Sequence, residues 1–272
     1  MDKTIVTAAC FNGIDSNHIR FIHEISKTGN LEIVIFSDEL IRKISSVEPK
    51  YKEPERRYFL ESVRYVSRVH TIDDLRKLDD VSGIIGKKVD VWFTLDVIKI
   101  DGIEKYPDRQ GIEHKIMAAA SLSGFPEHDY DLDTTSGKKV LVTGCFDWFH
   151  SGHVRFFEEA SEYGDLYVVL GHDKNLEKLK GPGHPMFPEE ERKYLAGSVR
   201  FVKQALVSTG EGWLDAEPEI RKIKPDIYLV NEDGDKDVKR RFCDENGIEY
   251  LVLKREPKPG LTRRTSTDLR GF

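Results

Sequence analysis

Two histidines, His150 and His153, flank a Ser-Gly pair whose glycine is Gly152. The Val-Leu-Val run at 140–142 predicts a buried strand before them, and the apolar spacing after them predicts a helix over 154–163. A helix start presents unpaired backbone N–H groups and a partial positive charge. Two imidazoles and a glycine that permits close approach make such a start favourable for phosphate. We infer from this arrangement that the ligand is a nucleoside triphosphate.

The run from Gly144 to His153, Gly-Cys-Phe-Asp-Trp-Phe-His-Ser-Gly-His, resembles the signature of the HxGH nucleotidyltransferases, in particular their cytidylyltransferase-like branch. The resemblance implies transfer of a nucleoside monophosphate from a triphosphate to a phosphorylated acceptor, with release of pyrophosphate. It implies that His150 and His153 are catalytic and donate hydrogen bonds to phosphate oxygens. It also implies nucleotide contacts from the turn and the helix start, by Thr143, Gly144, Cys145, Phe146, Asp147 and Gly152.

The segment 177–192 is similar to the family's Lys-Gly loop and the Glu-Arg helix start that follows it. Lys180 precedes the first glycine of the loop and is implied as the catalytic lysine that reaches the phosphates. The glycines and prolines at 181–185 predict a shaped loop that closes over the site. Arg192 is implied to contact the nucleotide or the substrate phosphate. A structural ion pair is the alternative for Arg192, because Arg56 matches it in the repeat described below.

The strand predicted over 227–230 ends in polar residues at the edge where an α/β site belongs. In the family this position lies near the base or the ribose, and the resemblance implies that Asn231 and Asp233 bind the nucleotide here. An acidic turn that caps a helix is the alternative interpretation.

The segment 260–270 resembles the family's closing motif, an arginine followed by a hydroxyl-rich helix start suited to phosphate. This sequence departs from the motif, because Gly260 stands where the arginine is expected. We therefore expect Arg264, or its neighbour Arg263, to replace that arginine. The hydroxyl-bearing residues implied to bind the nucleotide are Thr265, Ser266 and Thr267. We expect Mg²⁺ to enter with the triphosphate and without dedicated protein ligands, because phosphate oxygens supply much of its coordination.

An internal repeat organises the chain. A shift of 135 residues places His18 on His153, and after one inserted residue a shift of 136 places Arg56 on Arg192. Each copy alternates strands and helices, which predicts an α/β fold with a parallel sheet covered by helices on both faces. With the resemblance, this implies two tandem Rossmann-like domains of the HUP type. The predicted boundaries are a degenerate domain at 1–125, a polar linker at 126–137 and a catalytic domain at 138–272.

The first copy has lost key residues of the signature. Asp15 occupies the place of His150, and Asn17 occupies the place of Gly152. A carboxylate repels a triphosphate that an imidazole would bind, and a side chain at position 17 blocks close approach. We therefore predict that the first copy is catalytically inactive and serves as a packing partner or holds a regulatory ligand.

The composition narrows the class of partners. The net charge is −6 and 33% of residues are charged, which argues against a nucleic-acid binder with a dominant basic surface. No apolar run approaches the ~18 residues of a membrane span, and the first residues do not resemble a signal peptide. Three cysteines without metal-ligand spacing suit a reducing cytoplasm. We expect a cytoplasmic protein whose partners are small molecules, arranged as an internal pseudo-dimer of the two copies or as a homodimer.

The sequence as a whole favours a cytidylyltransferase that joins CMP from CTP to a small phosphorylated or phosphonylated alcohol or sugar. A sugar-phosphate adenylyltransferase that uses ATP is the alternative within the same enzyme class. A nucleotide-sensing module that binds the triphosphate without turnover is the alternative from a different class.

Overall fold

The computed structural model describes residues 3–135 and 137–269, with the side chains of Thr267 and Asp268 left out. The chain divides into two compact units, Met1–Gly124 and Phe125–Phe272. Within the described residues, no helix combines the length and apolar character needed to cross a membrane.

The first unit contains one parallel sheet of five strands in the order β3-β2-β1-β4-β5. Short 3₁₀ turns follow β3 and β5. The elements are β1 (Thr4–Ala9), α1 (Ser16–Ser26), β2 (Asn30–Phe36), α2 (Asp38–Ser45), α3 (Glu53–Ser62), β3 (Arg68–Ile72), α4 (Val81–Ile85), β4 (Val91–Leu95), α5 (Lys105–Arg109) and β5 (Glu113–Met117).

The second unit repeats this arrangement. Its five parallel strands have the order β8-β7-β6-β9-β10, so that both sheets read 3-2-1-4-5 when strands are counted within their own unit. The elements are β6 (Lys139–Gly144), α6 (Ser151–Ser161), β7 (Asp165–Leu170), α7 (Asp173–Lys180), α8 (Glu189–Gly197), β8 (Val202–Val207), α9 (Glu217–Ile223), β9 (Ile227–Asn231), α10 (Asp237–Asn246), β10 (Glu249–Leu253) and α11 (Ser266–Leu269).

The predicted α/β class with parallel sheets is confirmed. The central strand β6 is apolar because it is covered on both faces: Val140, Leu141 and Val142 are all fully buried. The chain passes from β6 to β7 on one side and later to β9 on the other. Such a reversal opens a crevice at the carboxyl ends of the strands, which is where ligands bind in open α/β sheets.

Two helix boundaries differ from the prediction in ways that matter for the site. Helix α6 begins at Ser151, three residues before the predicted start at 154, and His150 is its N-cap. Helix α7 was not predicted, because its eight residues, Asp-Lys-Asn-Leu-Glu-Lys-Leu-Lys, include only two apolar side chains. Lys180 is therefore the last residue of a helix rather than part of a loop.

Part of the segment predicted as a linker, 126–137, packs against helix α8. His128 is buried, and its Nε2 atom lies 2.8 Å from the carbonyl oxygen of Tyr194. Its ring stacks on the ring of Tyr194 with the centroids 4.7 Å apart. The polar composition concealed this contact, because a buried histidine and a loop histidine look alike in sequence.

Candidate active site

A cavity of about 630 Å³ in the second unit is lined by residues from the carboxyl ends of β6 and β9 and from the start of α6. The structure brings twelve of the predicted site residues to its wall: Thr143, Gly144, Cys145, Phe146, Asp147, Gly152, His153, Lys180, Asn231, Asp233, Thr265 and Ser266. The predicted residues His150, Arg192 and Arg264 do not line it.

His150 stands behind His153 rather than on the cavity wall. Its side chain is 2% exposed, and its Nδ1 atom accepts a hydrogen bond from the backbone N–H of Gly152 at 3.0 Å. A neutral ring that accepts at Nδ1 carries its proton on Nε2. The ring stacks on that of His153, with centroids 4.0 Å apart and planes 25° apart. His150 thus caps helix α6 and supports the second imidazole.

His153 presents its ring to the cavity between two aromatic side chains. The ring of Phe146 meets it edge-on with the centroids 5.4 Å apart, and that of Phe149 lies at 5.3 Å. Its Nδ1 atom is buried and has no hydrogen-bond partner among the described residues. Burial, followed by the positive fields of His150, Arg255 and Lys180, holds the pKa of His153 well below its ordinary value. His153 is therefore a neutral imidazole at pH 7.

Gly152 has no room for a side chain. A Cβ atom there would lie 2.8 Å from Cε1 and 2.9 Å from Nδ1 of the buried His150 ring. The first unit, which has Asn17 at this position, arranges its helix start differently. Asp15 caps α1 by accepting from the backbone N–H of His18 at 3.0 Å, and the same carboxylate oxygen lies 2.7 Å from Nδ1 of the His18 ring. The stacked imidazole pair is thus replaced by a carboxylate–imidazole pair.

Asp147 lines the cavity, but its carboxylate also shapes the loop before α8. Its two oxygens accept hydrogen bonds from the backbone N–H groups of Met186 and Phe187 at 3.0 and 3.1 Å. In the first unit, Asn12 accepts from the backbone N–H of Lys50 at 2.6 Å. Asn12 therefore keeps the loop contact that Asp147 makes, although the two residues differ.

The contacts of Arg192 favour the structural alternative over the predicted nucleotide contact. Its side chain is 1% exposed, and its guanidinium donates to the backbone carbonyl oxygens of Phe187, Cys145 and Gly171 at 2.9, 2.6 and 2.8 Å. It also pairs with Asp173 at 2.7 Å. These partners tie together the ends of β6 and β7 and the start of α8, so the guanidinium is committed to the fold.

Arg56 makes the same set of contacts in the first unit. It donates to the carbonyl oxygens of Tyr51, Cys10 and Phe36 at 3.0, 2.6 and 2.8 Å, and it pairs with Asp38 at 2.9 Å. The match between these arginines in sequence was the signal that favoured the structural alternative.

Lys180 and Arg255 bring positive charge near the helix start. Lys180 lines the cavity, and its ammonium group makes no ion pair with a described residue. Arg255, which follows β10, also lines it; its guanidinium pairs with Asp233 at 2.9 Å and donates to the carbonyl oxygen of Arg264 at 3.4 Å. Both cations act on His153, so both lie within electrostatic range of the imidazole.

Arg255, rather than Arg264, is the arginine that enters the cavity. The sequence predicted that Arg264, directly before the Thr-Ser-Thr run, replaces the family's arginine. In the structure Arg264 lines a narrow neighbouring cleft. The signal for Arg255 was its position two residues after the end of a strand, but residues 256–264 separate it from the hydroxyl-rich motif that begins at Thr265. The spacing of the family's closing motif points to Gly260 and therefore does not identify Arg255.

The C-terminal segment closes over the turn that follows β6. The hydroxyl of Ser266 donates to the backbone carbonyl oxygen of Asp147 at 2.9 Å, and Thr265 lines the cavity beside it. The side chain of Thr267 lies outside the described residues.

Thr143 and Lys239 line one part of the cavity, which we call its floor, and the buried Tyr228 lies beside Thr143. Lys239 was not predicted to be a site residue. Lys239 lies on α10, and its Nζ atom donates to the hydroxyl oxygen of Thr143 at 3.1 Å. That hydroxyl oxygen lies 2.7 Å from the hydroxyl oxygen of Tyr228. Nothing in the sequence separates Lys239 from the other lysines of a polar helix.

Within the described residues, no group of three or more His, Cys, Asp or Glu side chains is arranged to hold a metal ion.

Comparison with known proteins identifies similar chains. A family model described as cytidylyltransferase-like matches residues 141–263. A protein named FAD synthase from Ferroglobus placidus is 37% identical over 120 residues, which span 43% of this chain and 75% of that protein. A protein of the same name from Methanopyrus kandleri is 32% identical over 126 residues, 44% of this chain and 81% of that protein. The bifunctional protein HldE from Sulfurimonas denitrificans is 33% identical over 140 residues, 50% of this chain but 28% of that protein.

Proposed function

Because the chain belongs to the cytidylyltransferase-like family of nucleotidyltransferases, we propose that its second unit transfers a nucleoside monophosphate from a triphosphate to a small acceptor that bears a phosphate or phosphonate group. The observation that carries the proposal is the stacked pair of His150 and His153 at the start of α6, beside a cavity that also receives Lys180 and Arg255.

The reaction needs positioning and charge stabilisation rather than a protein nucleophile. An oxygen of the acceptor phosphate attacks the α-phosphorus in line. A new bond forms between that oxygen and the α-phosphorus, and the bond from the α-phosphorus to the pyrophosphate oxygen breaks. Negative charge grows on the leaving pyrophosphate. A neutral His153 donates one N–H bond to it, while Lys180 and Arg255 supply positive charge.

Mg²⁺ fits this site as a companion of the triphosphate. Of the carboxylates on the wall, Asp147 accepts from backbone N–H groups, Asp233 pairs with Arg255, and Asp215 accepts from the side chains of Ser208 and Asn175. The ion would therefore take its oxygens mainly from the phosphates, where it neutralises charge. The protein residues that would hold the complex are the cationic and hydrogen-bonding groups around His153.

The relatives favour ATP over CTP as the donor. FAD consists of AMP joined to flavin mononucleotide through a pyrophosphate bond, so a nucleotidyltransferase named for its synthesis transfers an adenylyl group. The sequence signature favoured CTP, and ATP was its alternative. We propose adenylyl transfer to a phosphorylated alcohol, sugar or flavin, with cytidylyl transfer as the second candidate.

For the first unit we propose an origin by duplication and a loss of turnover. The common strand order and the matched contacts of Arg56 and Arg192 support the duplication. The exchange of the imidazole pair for Asp15 and His18 supports the loss. We also propose that the protein acts in the cytoplasm on small molecules.

Pyrophosphate release tests the proposal. The purified full chain is incubated with Mg²⁺ and one of ATP, CTP, GTP or UTP, together with flavin mononucleotide, glycerol phosphate, phosphoethanolamine, small phosphonates or sugar phosphates. Release that depends on both substrates, with a product of the combined mass, supports the proposal. Binding of a triphosphate without release in any mixture would instead support the nucleotide-sensing alternative.

A further inference from the structure

The ammonium group of Lys239 is buried at the cavity floor, and it has no carboxylate partner among the residues that the structure describes. The residue is 7% exposed, and Nζ donates to the hydroxyl oxygen of Thr143 at 3.1 Å and the carbonyl oxygen of Gly234 at 3.3 Å. It lies 5.6 Å from the centroid of the Tyr228 ring. Each of these partners is neutral. Because a buried charge without a counter-charge is costly, a buried lysine is normally paired.

The acidic side chains near Lys239 are mostly engaged by other cations. Asp233 pairs with Arg255 at 2.9 Å, and Asp235 pairs with Arg240. Asp215 forms no ion pair with a described residue; its Oδ2 atom accepts from the hydroxyl of Ser208 at 2.8 Å and from the side-chain amide of Asn175 at 3.1 Å.

A second ammonium group adds to the positive charge of the floor. Lys236 lines the cavity and lies 5.1 Å from the centroid of the Trp213 ring. The two ammonium groups of Lys236 and Lys239 face one carboxylate, that of Asp215, which is not already paired with a described arginine. This part of the cavity therefore carries net positive charge. Burial lowers the pKa of Lys239, and Asp215 acts in the opposite direction from beyond contact distance. An anion at the floor would supply the missing counter-charge.

The positive groups at the floor are different residues from those at the helix start. Besides His150, the groups that act on His153 are the cations Arg255 and Lys180, whereas Lys236 and the nearby aspartates act on Lys239. The two regions belong to one cavity. A reaction between two anionic substrates needs such an arrangement, because each substrate must be held close to the other despite their mutual repulsion.

We propose that Lys239 and Thr143 form a second anion subsite, which binds the phosphate or phosphonate of the acceptor while the helix start binds the triphosphate. The inference rests on the proposed function, because only a transfer between two phosphorylated substrates fills both regions. An ammonium group has three N–H donors, so the bonds to Thr143 and Gly234 leave Lys239 one donor for an oxygen of the acceptor. Its role is to bind and orient the acceptor, and it exchanges no proton.

A titration with inorganic phosphate tests the subsite without requiring turnover. The full chain is first saturated with the Mg²⁺ complex of the α,β-methylene analogue of ATP, or of CTP if only that binds, and phosphate is then added in a calorimeter. The test variant is Lys239→Met, which removes the charge and retains an unbranched side chain. Lys222→Met, on the exposed face of α9 and away from the cavity, is the matched control.

We expect phosphate to bind the nucleotide-saturated protein, and we expect Lys239→Met to weaken phosphate binding at least about tenfold, the loss of one charged hydrogen bond. Nucleotide affinity should stay within about threefold of the wild-type value, since that change is well under one such bond. Failure of phosphate to bind the saturated wild-type protein would overturn the proposal. So would equal phosphate binding by the variant, or a variant that loses nucleotide rather than phosphate.

The outcomes separate this inference from the proposed function. If neither nucleotide analogue binds, the proposed function fails, and titration of the nucleotide-free wild-type and Lys239→Met proteins with phosphate still decides whether Lys239 holds an anion. If Lys239→Met does not fold, the wild-type titration alone remains decisive, because a single anion site cannot bind phosphate once the triphosphate occupies it.

Discussion

The imidazole rings of His150 and His153 lie 4.0 Å apart in a stack, and the inner ring is fixed by the hydrogen bond from Gly152 to its Nδ1 atom. The position of the His153 ring therefore depends on Gly152, the residue before it, through the ring of His150. This relationship links the backbone of the helix start to the side chain that faces the cavity.

Gly152→Ala should disable the site while leaving the fold intact. The new methyl group would lie 2.8 Å from the buried ring of His150, so the ring must move and His153 moves with it. Displacement of a reacting geometry by about 1 Å can cost about 10²-fold in rate, and we expect a loss of at least tenfold in kcat. Steady-state pyrophosphate release and thermal unfolding measure the two properties.

Gly13→Ala is the matched control, because a Cβ atom at Gly13 meets no atom within 4 Å. Unchanged turnover of Gly152→Ala would show that the stack does not depend on this contact.

The pH dependence of stability should report the neutral state of His153. Its folded pKa lies below the unfolded value, so as pH falls below about 6.5 the unfolded chain takes up a proton that the folded chain excludes. Stability attributable to this group is thus full above that pH and declines toward acid, by at most about 1.4 kcal/mol per pH unit. Urea unfolding between pH 7 and 5 should show a shallower decline for His153→Asn. A steeper decline for that variant would contradict the direction of the shift.

Arg192 should contribute to stability rather than to nucleotide affinity. Arg192→Ala leaves Asp173 and three backbone carbonyl oxygens without their donor, which we expect to cost about 3–5 kcal/mol in the free energy of unfolding. Arg56→Ala should cost a similar amount in the first unit. Arg221→Ala is the control: this exposed arginine pairs with Glu217 and lies over the ring of Phe242, and its loss should cost less than about 1 kcal/mol. Unchanged stability of Arg192→Ala with a raised KM for the triphosphate would restore the nucleotide-binding role.

Arg255 and Arg264 should differ in their effect on the triphosphate. Arg255→Ala removes a guanidinium that lines the cavity, and we expect the KM for the triphosphate to rise at least about tenfold, as for the loss of one charged hydrogen bond. Arg264→Ala removes a side chain from the neighbouring cleft and should have a much smaller effect. The two KM values from initial rates make the comparison. A larger effect of Arg264→Ala would return the family arginine to the position that the sequence suggested.

Much of the fold was predictable from local pattern. Strand β6 contains a short run of buried β-branched and leucine residues at 140–142, and the strands predicted over 140–142 and 227–230 lie within the observed β6 and β9. Helix α7 was missed because only Leu176 and Leu179 mark its apolar side. Its capping residue, His172, is not among the usual N-cap types.

The site was predictable where residues are adjacent in sequence and unpredictable where they meet only in space. Gly152 and His153 belong to one motif, and both line the cavity. Lys239 reaches Thr143 from 96 residues away, and residues 256–264 separate Arg255 from the hydroxyl-rich motif. Arg192 was assigned to the nucleotide because a sequence cannot reveal that three carbonyl oxygens already surround its guanidinium.

The central claim is that turnover resides in the second unit and depends on His153. The most direct test compares pyrophosphate release by the wild-type protein, His153→Asn and His18→Asn with the nucleotide and acceptor that the wild-type protein uses. We predict that His153→Asn lowers kcat by about 10²–10³, because a preorganised donor to the leaving phosphates is lost. His18→Asn, at the matching position of the first unit, should leave kcat unchanged. Equal losses in the two variants, or a loss confined to His18→Asn, would contradict the account.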